Sequence, residues 1–195
     1  LSHSSSVKNT QLDDIRNDMM LVLKSVGVNV ESQRYEIGGQ GQAEIDVRYD
    51  GLVSISDDFM KYKYIIKQVA HKYHKTATFM PKPLISEKGS GMPLHFSLWD
   101  KGRNLFHGTK EFGLSQLALY AIGGILAHAS ALFAFTNPTT NSYKRLMDKN
   151  EPTILGFGQN RRDVMIRIPS HKTKNDSSRI IIQNPDPSCN SYLAF

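Results

Sequence analysis

Two glutamates, Glu36 and Glu44, flank the glycine turn Gly38-Gly39-Gln40-Gly41 at a separation of eight positions. Side chains alternate along a strand, so an even separation across a hairpin can bring both carboxylates to one face. Converging carboxylates repel unless a cation lies between them, and oxygen ligands suit Mg2+ or Mn2+. The plain alternative is two solvated strand-end glutamates, which the residue type by itself favours. Neither of two glycine stretches is a nucleotide loop. Gly38-Gly39-Gln40-Gly41 lacks the spacing and the following helix of a dinucleotide loop, and Lys88-Gly89-Ser90-Gly91 has a phosphate loop's ingredients in the wrong order.

These groups need elements to hold them. Thr10 stands three before Asp13, as in a capping arrangement, and Leu12, Ile15, Met19, Val22 and Val26 follow at helical steps until Gly27. Val28–Ile37 and Ala43–Tyr49 read as the two strands of the glutamate hairpin. Ser56 is expected to cap a second helix through about Tyr73, with Phe59, Tyr62, Ile66, Val69 and Tyr73 on one face. Further strands are expected at Ala77–Met80, Leu94–Leu98, Val164–Ile168 and Arg179–Gln183. Residues 1–10 read as a mobile loop.

The stretch from Leu117 to Phe135 contains no Asp, Glu, Lys or Arg. Its length approaches the roughly 20 residues of a membrane span. Its alanines, Gly123-Gly124 and His128, without aromatic or basic anchors at its ends, point instead to a buried core helix over 115–135.

A chain of 195 residues can bury a real core, and 39% hydrophobic with 22% charged residues is ordinary for a soluble protein. One cysteine, Cys189, excludes an internal disulfide and suits a reducing, cytoplasmic setting. The net charge of +6 comes from scattered rather than clustered lysines and arginines, which argues against nucleic acid and suits a pocket for phosphates and carboxylates. The polar start and the apolar finish without a helix stop suggest an internal piece of a longer protein.

Four blocks of sequence, in order, resemble the glutamine synthetase family. They are Tyr35–Glu44; Thr76–Pro83 with Gly89–Met92; Asn137–Leu146; and Arg167-Ile168-Pro169 with Pro185-Asp186-Pro187. The match runs from about Asp13 to Phe195, with one apparent single-residue deletion between Arg145 and Arg162. It implies an α+β fold, a mainly antiparallel sheet backed by helices, with residues 1–195 forming part of a catalytic domain. A small N-terminal domain and a C-terminal helical region would lie outside the chain. The implied reaction is ATP-dependent amidation of glutamate by ammonia through γ-glutamyl phosphate. Mg2+ or Mn2+ would be required, in a cytoplasmic homo-oligomer with sites between subunits.

Carried over residue by residue, Glu36 and Glu44 would bind one metal. Arg145 would hold the glutamate α-carboxylate, and Gly89 would lie beside its amino group. Arg162 and Arg167 would contact ATP phosphates and the transferring group. Arg179, Tyr49 (with Arg48), His95 and Ser97 would face the nucleotide. Glu151 would shield the intermediate and help deprotonate ammonium. Cations and arginines suit such a reaction because two anions must be brought together.

Four positions depart from the family pattern. Pro93 and Ile181 stand where the second metal's histidine and glutamate ligands belong. Gln183 replaces the arginine that holds the reacting carboxylate, and Lys88 replaces a loop asparagine. Proline offers a metal no nitrogen lone pair, and losing both ligands avoids leaving one buried charge unpaired. Such losses should exceed the roughly 10–100-fold cost of losing mere supporting contacts. A missing Arg–carboxylate contact adds roughly 1.5–3 kcal/mol. Three outcomes stay open: a glutamine synthetase, a pseudoenzyme acting through assembly, and a related ligase with a changed acid or amine. Lys88 is a candidate for replacing part of the lost positive charge.

Overall fold

The computed structural model describes residues 10–36, 41–149, 151–170 and 178–195. Of the expected loop at residues 1–10, residues 1–9 lie outside the described residues, as do the turn residues Gly38, Gly39 and Gln40 and the side chain of Thr10, whose backbone is already helical. The chain divides into two compact units, residues 1–79 with Phe195, and residues 80–194.

In the first unit, helix α1 (Thr10–Ser25) ends where Gly27 takes a φ of +86°, a conformation that glycine reaches at no steric cost. The strands β1 (Val30–Tyr35) and β2 (Ala43–Val47) form an antiparallel hairpin, and α2 (Leu52–Lys72) follows. Leu23, Val28, Ile45, Ile65, Ile66 and Val69 form the core, with Met19, Tyr62 and Tyr73 packed around it. The buried stripe of α1 runs through Ile15, Met19 and Leu23, whereas Val22 and Val26 are exposed. Ser56 is no cap: it lies inside α2, and its hydroxyl donates to the Leu52 carbonyl, while Gly51 occupies the N-cap without a side-chain bond. A hydroxyl can bond back into the preceding turn of a helix as well as start one.

In the second unit, β3 (Leu94–Phe96), β6 (Ile154–Gln159), β7 (Val164–Ile168) and β8 (Ile180–Ile182) form one sheet in the order β3-β8-β7-β6. Two short strands, β4 (Trp99–Asp100) and β5 (Arg103–Asn104), pair as a separate hairpin. Pairing is antiparallel except between β6 and β7. The connection from β6 to β7 is only residues 160–163, where parallel neighbours ordinarily need a dozen or more. Those residues must run back along roughly 13 Å of strand. Asn160 makes the turn possible by adopting a φ of +55°, which asparagine tolerates better than most residues. No strand forms at 77–80.

The apolar segment is two helices, not one. Helix α3 (Gln116–Ala127), capped by the Ser115 hydroxyl, breaks at His128, and α4 (Ala129–Thr136) leaves at 76° to it. The bend lets Ala118, Ile122 and Ala129 share a core with Phe106, Leu114, Met165, Ile166, Ile168 and Ile180, backing the sheet. Leu117, Tyr120 and Phe135 remain exposed. Among the described residues no single helix is long and apolar enough to cross a membrane. Helix α5 (Thr140–Leu146), missed in the sequence, starts with a reciprocal Thr139–Ser142 capping box, and α6 (Ser191–Ala194) is one turn.

Candidate active site

In the first unit the hairpin register places Arg34 opposite Glu44 and Ser32 opposite Asp46, while Glu36 is two positions beyond Arg34. These five side chains therefore share one face of the ribbon, and Val30, Ile45 and Val47 turn toward the helices. A register irregularity between Val30 and Ser32 lets both valine and serine keep their proper faces. Arg34 reaches Glu44 at 2.5 Å, Asp46 at 2.8 Å and Glu36 at 3.6 Å. Burial and the neighbouring Glu36 and Asp46 carboxyls push Glu44 up to about 7, against the pull of Arg34. Asp46 goes down despite its burial, because Ser32 donates a hydrogen bond to it and Arg34 lies beside it. Tyr62, also beneath the hairpin, is raised by burial and by Glu44 and Asp46.

Three carboxylates around one guanidinium leave an excess of negative charge. The donor oxygens are of the kind a hard divalent cation prefers, but Arg34 sits among them, and among the described residues no group of three or more His, Cys, Asp or Glu is arranged to hold a metal ion. Arg34 and Asp46 escaped notice in the sequence, although stepping by two outward from Glu36 and Glu44 would have found them. Tyr49 is 66% exposed at the end of this hairpin, with the Arg48 guanidinium 6.0 Å from its ring centre.

In the second unit Arg145 is almost completely buried. Its Nη1 lies 3.1 Å from Glu151, and its Nη2 donates to the Asn184 carbonyl. Its Nε is buried without a hydrogen-bond partner. The loop glycines make room for it: a Cβ on Gly91 would sit 2.2 Å from Nη1, and one on Gly89 would sit 2.5 Å from Arg145 Cγ and 2.7 Å from the Pro81 carbonyl oxygen. Burial pulls Arg145 down and pushes Glu151 up, so each ion is short of solvation despite the pairing. Beneath them Asp186 accepts from Asn137 at 3.1 Å and from both the amide and hydroxyl of Ser188, while Asn137 also donates to the Asn184 carbonyl at 2.7 Å.

Across the sheet, His95 pairs with Ile181, Ile181 with Arg167, and Arg167 with Gly158. Arg179 precedes Ile181 by two, so His95, Arg167 and Arg179 lie on the face opposite Phe96, Ile180 and Ile166. Arg167 is lowered first by burial and then by the charges of Arg162 and Arg179, both near enough to disfavour its own charge. Arg162 itself is exposed and lines a cleft of about 230 Å3 with Lys88, Lys149 and Asp163. Ser97, just past β3, accepts a hydrogen bond from the Trp99 indole at 3.0 Å. Pro93 is exposed, and Ile181 is 2% exposed in the sheet centre; neither offers a metal donor. Gln183 points its amide into the tight β6–β7 turn, where Nε2 donates to the Val164 carbonyl at 2.6 Å and approaches those of Arg161 at 3.2 Å and Arg162 at 3.4 Å.

Sheet and backing helices define an α+β architecture. The family model for the glutamine synthetase catalytic domain matches residues 3–195. The chain is 50% identical over 184 residues to glutamine synthetase of Frankia alni, covering 93% of this chain and 39% of that protein. It is 49% identical over 183 residues to a 3-hydroxylaminophenol mutase of Cupriavidus pinatubonensis, with the same coverage. A Plasmodium falciparum glutamine synthetase structure superposes with a TM-score of 0.89 at 30% identity, over 100% of this chain and 37% of that one. A ligand-free structure of GmaS gives 0.84 at 33% identity, over 95% and 42%. The chain thus belongs to the glutamine synthetase catalytic-domain family, and spans about two-fifths of the length of the curated relatives it matches.

Proposed function

We propose that the protein containing this chain couples ATP cleavage to amide formation on a carboxylic acid, glutamate with ammonia being the first pair to test. The observation that carries this reading is Arg145: a buried guanidinium with an unpartnered Nε, in a cradle that only glycines leave open. A substrate carboxylate would satisfy that donor and compete with Glu151 for Nη1. Glu151, once released, is a carboxylate whose burial strengthens its hold on a proton, which suits it to take one from ammonium. Arg162 and Arg179 disfavour the charge of Arg167, and a polyanion such as a triphosphate lying against Arg167 would offset that. Glu36 and Glu44 would contribute two ligands to a Mg2+ or Mn2+ ion whose remaining ligands lie on further chain, an ion that when bound would offset anionic charge. The site is proposed to be completed by further chain and by neighbouring subunits in a cytoplasmic oligomer.

A second reading has specific support. Gln183 is committed to backbone carbonyls and leaves the acid pocket without its arginine, and Lys88 lines the cleft with Arg162. These changes favour a ligase with a different acid or amine, in line with relatives carrying other names. Phosphate release by the full-length protein, with ATP, Mg2+ and a panel of acids and amines, tests both. Release that requires glutamate and ammonia supports the first reading, and release with another pair supports the second. No release with any pair overturns both and leaves a scaffold role. Lys88→Ala is expected to weaken ATP binding; unchanged affinity would remove Lys88 from the phosphate site.

A further inference from the structure

The loop that carries Lys88 and Gly89 is tied at its root and across its middle. Ser90 donates its amide to the Pro81 carbonyl at 2.7 Å, which closes residues 81–90 into a ring. Asn141 of α5 clamps the root: its Oδ1 accepts from the Lys82 amide at 2.7 Å, and its Nδ2 donates to the Lys82 carbonyl at 2.9 Å. The Lys82 ammonium crosses the ring to donate to the Glu87 carbonyl at 2.6 Å, and also reaches Asp148 at 2.7 Å. Its side chain is only 9% exposed. Lysine is seldom so withdrawn from water unless its charge is paired. Asp148 in turn begins the bend to Glu151, whose amide donates to the Asp148 carbonyl at 3.0 Å. Burial comes first in raising the proton affinity of Glu151; Arg145 opposes it, Asp148 adds to it, and Lys82 and Lys88 oppose it.

We propose, resting on the reading of Glu151 as the acceptor of a proton from ammonium, that Lys82 is its positioning residue. One ammonium fastens the Gly89 loop to the Asp148 bend, and so holds Glu151 and the glycine cradle together against Arg145. The same charge offsets Asp148, which would otherwise stand uncompensated beside Glu151.

Two measurements on the full-length protein test this: a carboxyl-carbon NMR titration of Glu151, assigned with Glu151→Gln, and deuterium exchange across residues 84–91. Lys82→Met is expected to raise the Glu151 midpoint, because Asp148 then acts alone. It should also speed exchange in the loop about tenfold, since charge-assisted bonds are lost. Asp148→Asn keeps an acceptor for the ammonium and serves should Lys82→Met fail to fold; it should lower the midpoint and leave exchange nearly unchanged. Opposite shifts from the two variants are a result that a merely structural prop does not give. A Glu151 midpoint unmoved in either variant, or unchanged exchange in Lys82→Met, overturns the assignment. Shifts as expected, in a protein that releases no phosphate with any acid and amine, would uphold the tie and remove the acceptor role of Glu151.

Discussion

At the scale of single residues the site is governed by what lies against Arg145. Gly91→Ala would drive a methyl into its guanidinium, and a loss of roughly 1–3 kcal/mol in denaturant unfolding is expected. Asp186→Ala would strand the Asn137 and Ser188 donors and should cost roughly 3 kcal/mol in the same measurement. Glu151 gives a pH signature. Folding raises its proton affinity above the ordinary value near 4.5, so in the window upward from there the native state binds more protons than the unfolded one. Its contribution therefore falls as pH rises through that window. Unfolding free energies for the unaltered protein should decline relative to Glu151→Gln from pH 5 upward; the opposite slope would mean that the Arg145 ion pair outweighs burial. Arg145 and Gly89 were singled out in the sequence from the quoted blocks and Glu151 by its position in the family resemblance, and the structure brings Glu151 and the Gly89 loop against Arg145. Asp186 was quoted only as a marker, because nothing in a Pro-Asp-Pro run reveals that its carboxylate lies buried beneath the arginine.

At the scale of elements, alternation in the hairpin and the stripe of α2 could be read directly, since both depend on local periodicity. The break at His128 could not. A continuous apolar run has no polar face to show where a helix must turn, and the 76° bend exists to match two helices to one sheet. The β6 strand was missed for a related reason: its glycines and its four-residue return resemble a loop, and only the neighbouring β7 gives it hydrogen bonds. Ile122, at the centre of the helix–sheet core, tests that packing. Ile122→Ala should lower stability by roughly 2–5 kcal/mol in thermal or denaturant unfolding.

At the scale of the whole molecule, the chain spans 39% of Frankia alni glutamine synthetase. Under the proposed function, the 195-residue chain by itself is accordingly expected to release no phosphate from ATP with any acid and amine; turnover by it would mean that these residues complete a site unaided. The scattered net charge of +6 finds its concentrated part in Arg162, Arg167, Arg179 and Lys88 of the second unit. That concentration depends on strand register, which no count of charges reveals.

The glutamine amide fastened into the β6–β7 return has a consequence for substitution there. Placing at position 183 the arginine that the family resemblance calls for would take from three main-chain oxygens the amide they share and loosen the short link bearing Arg162. A carboxylate clamp at that position is therefore coupled to the shape of the link.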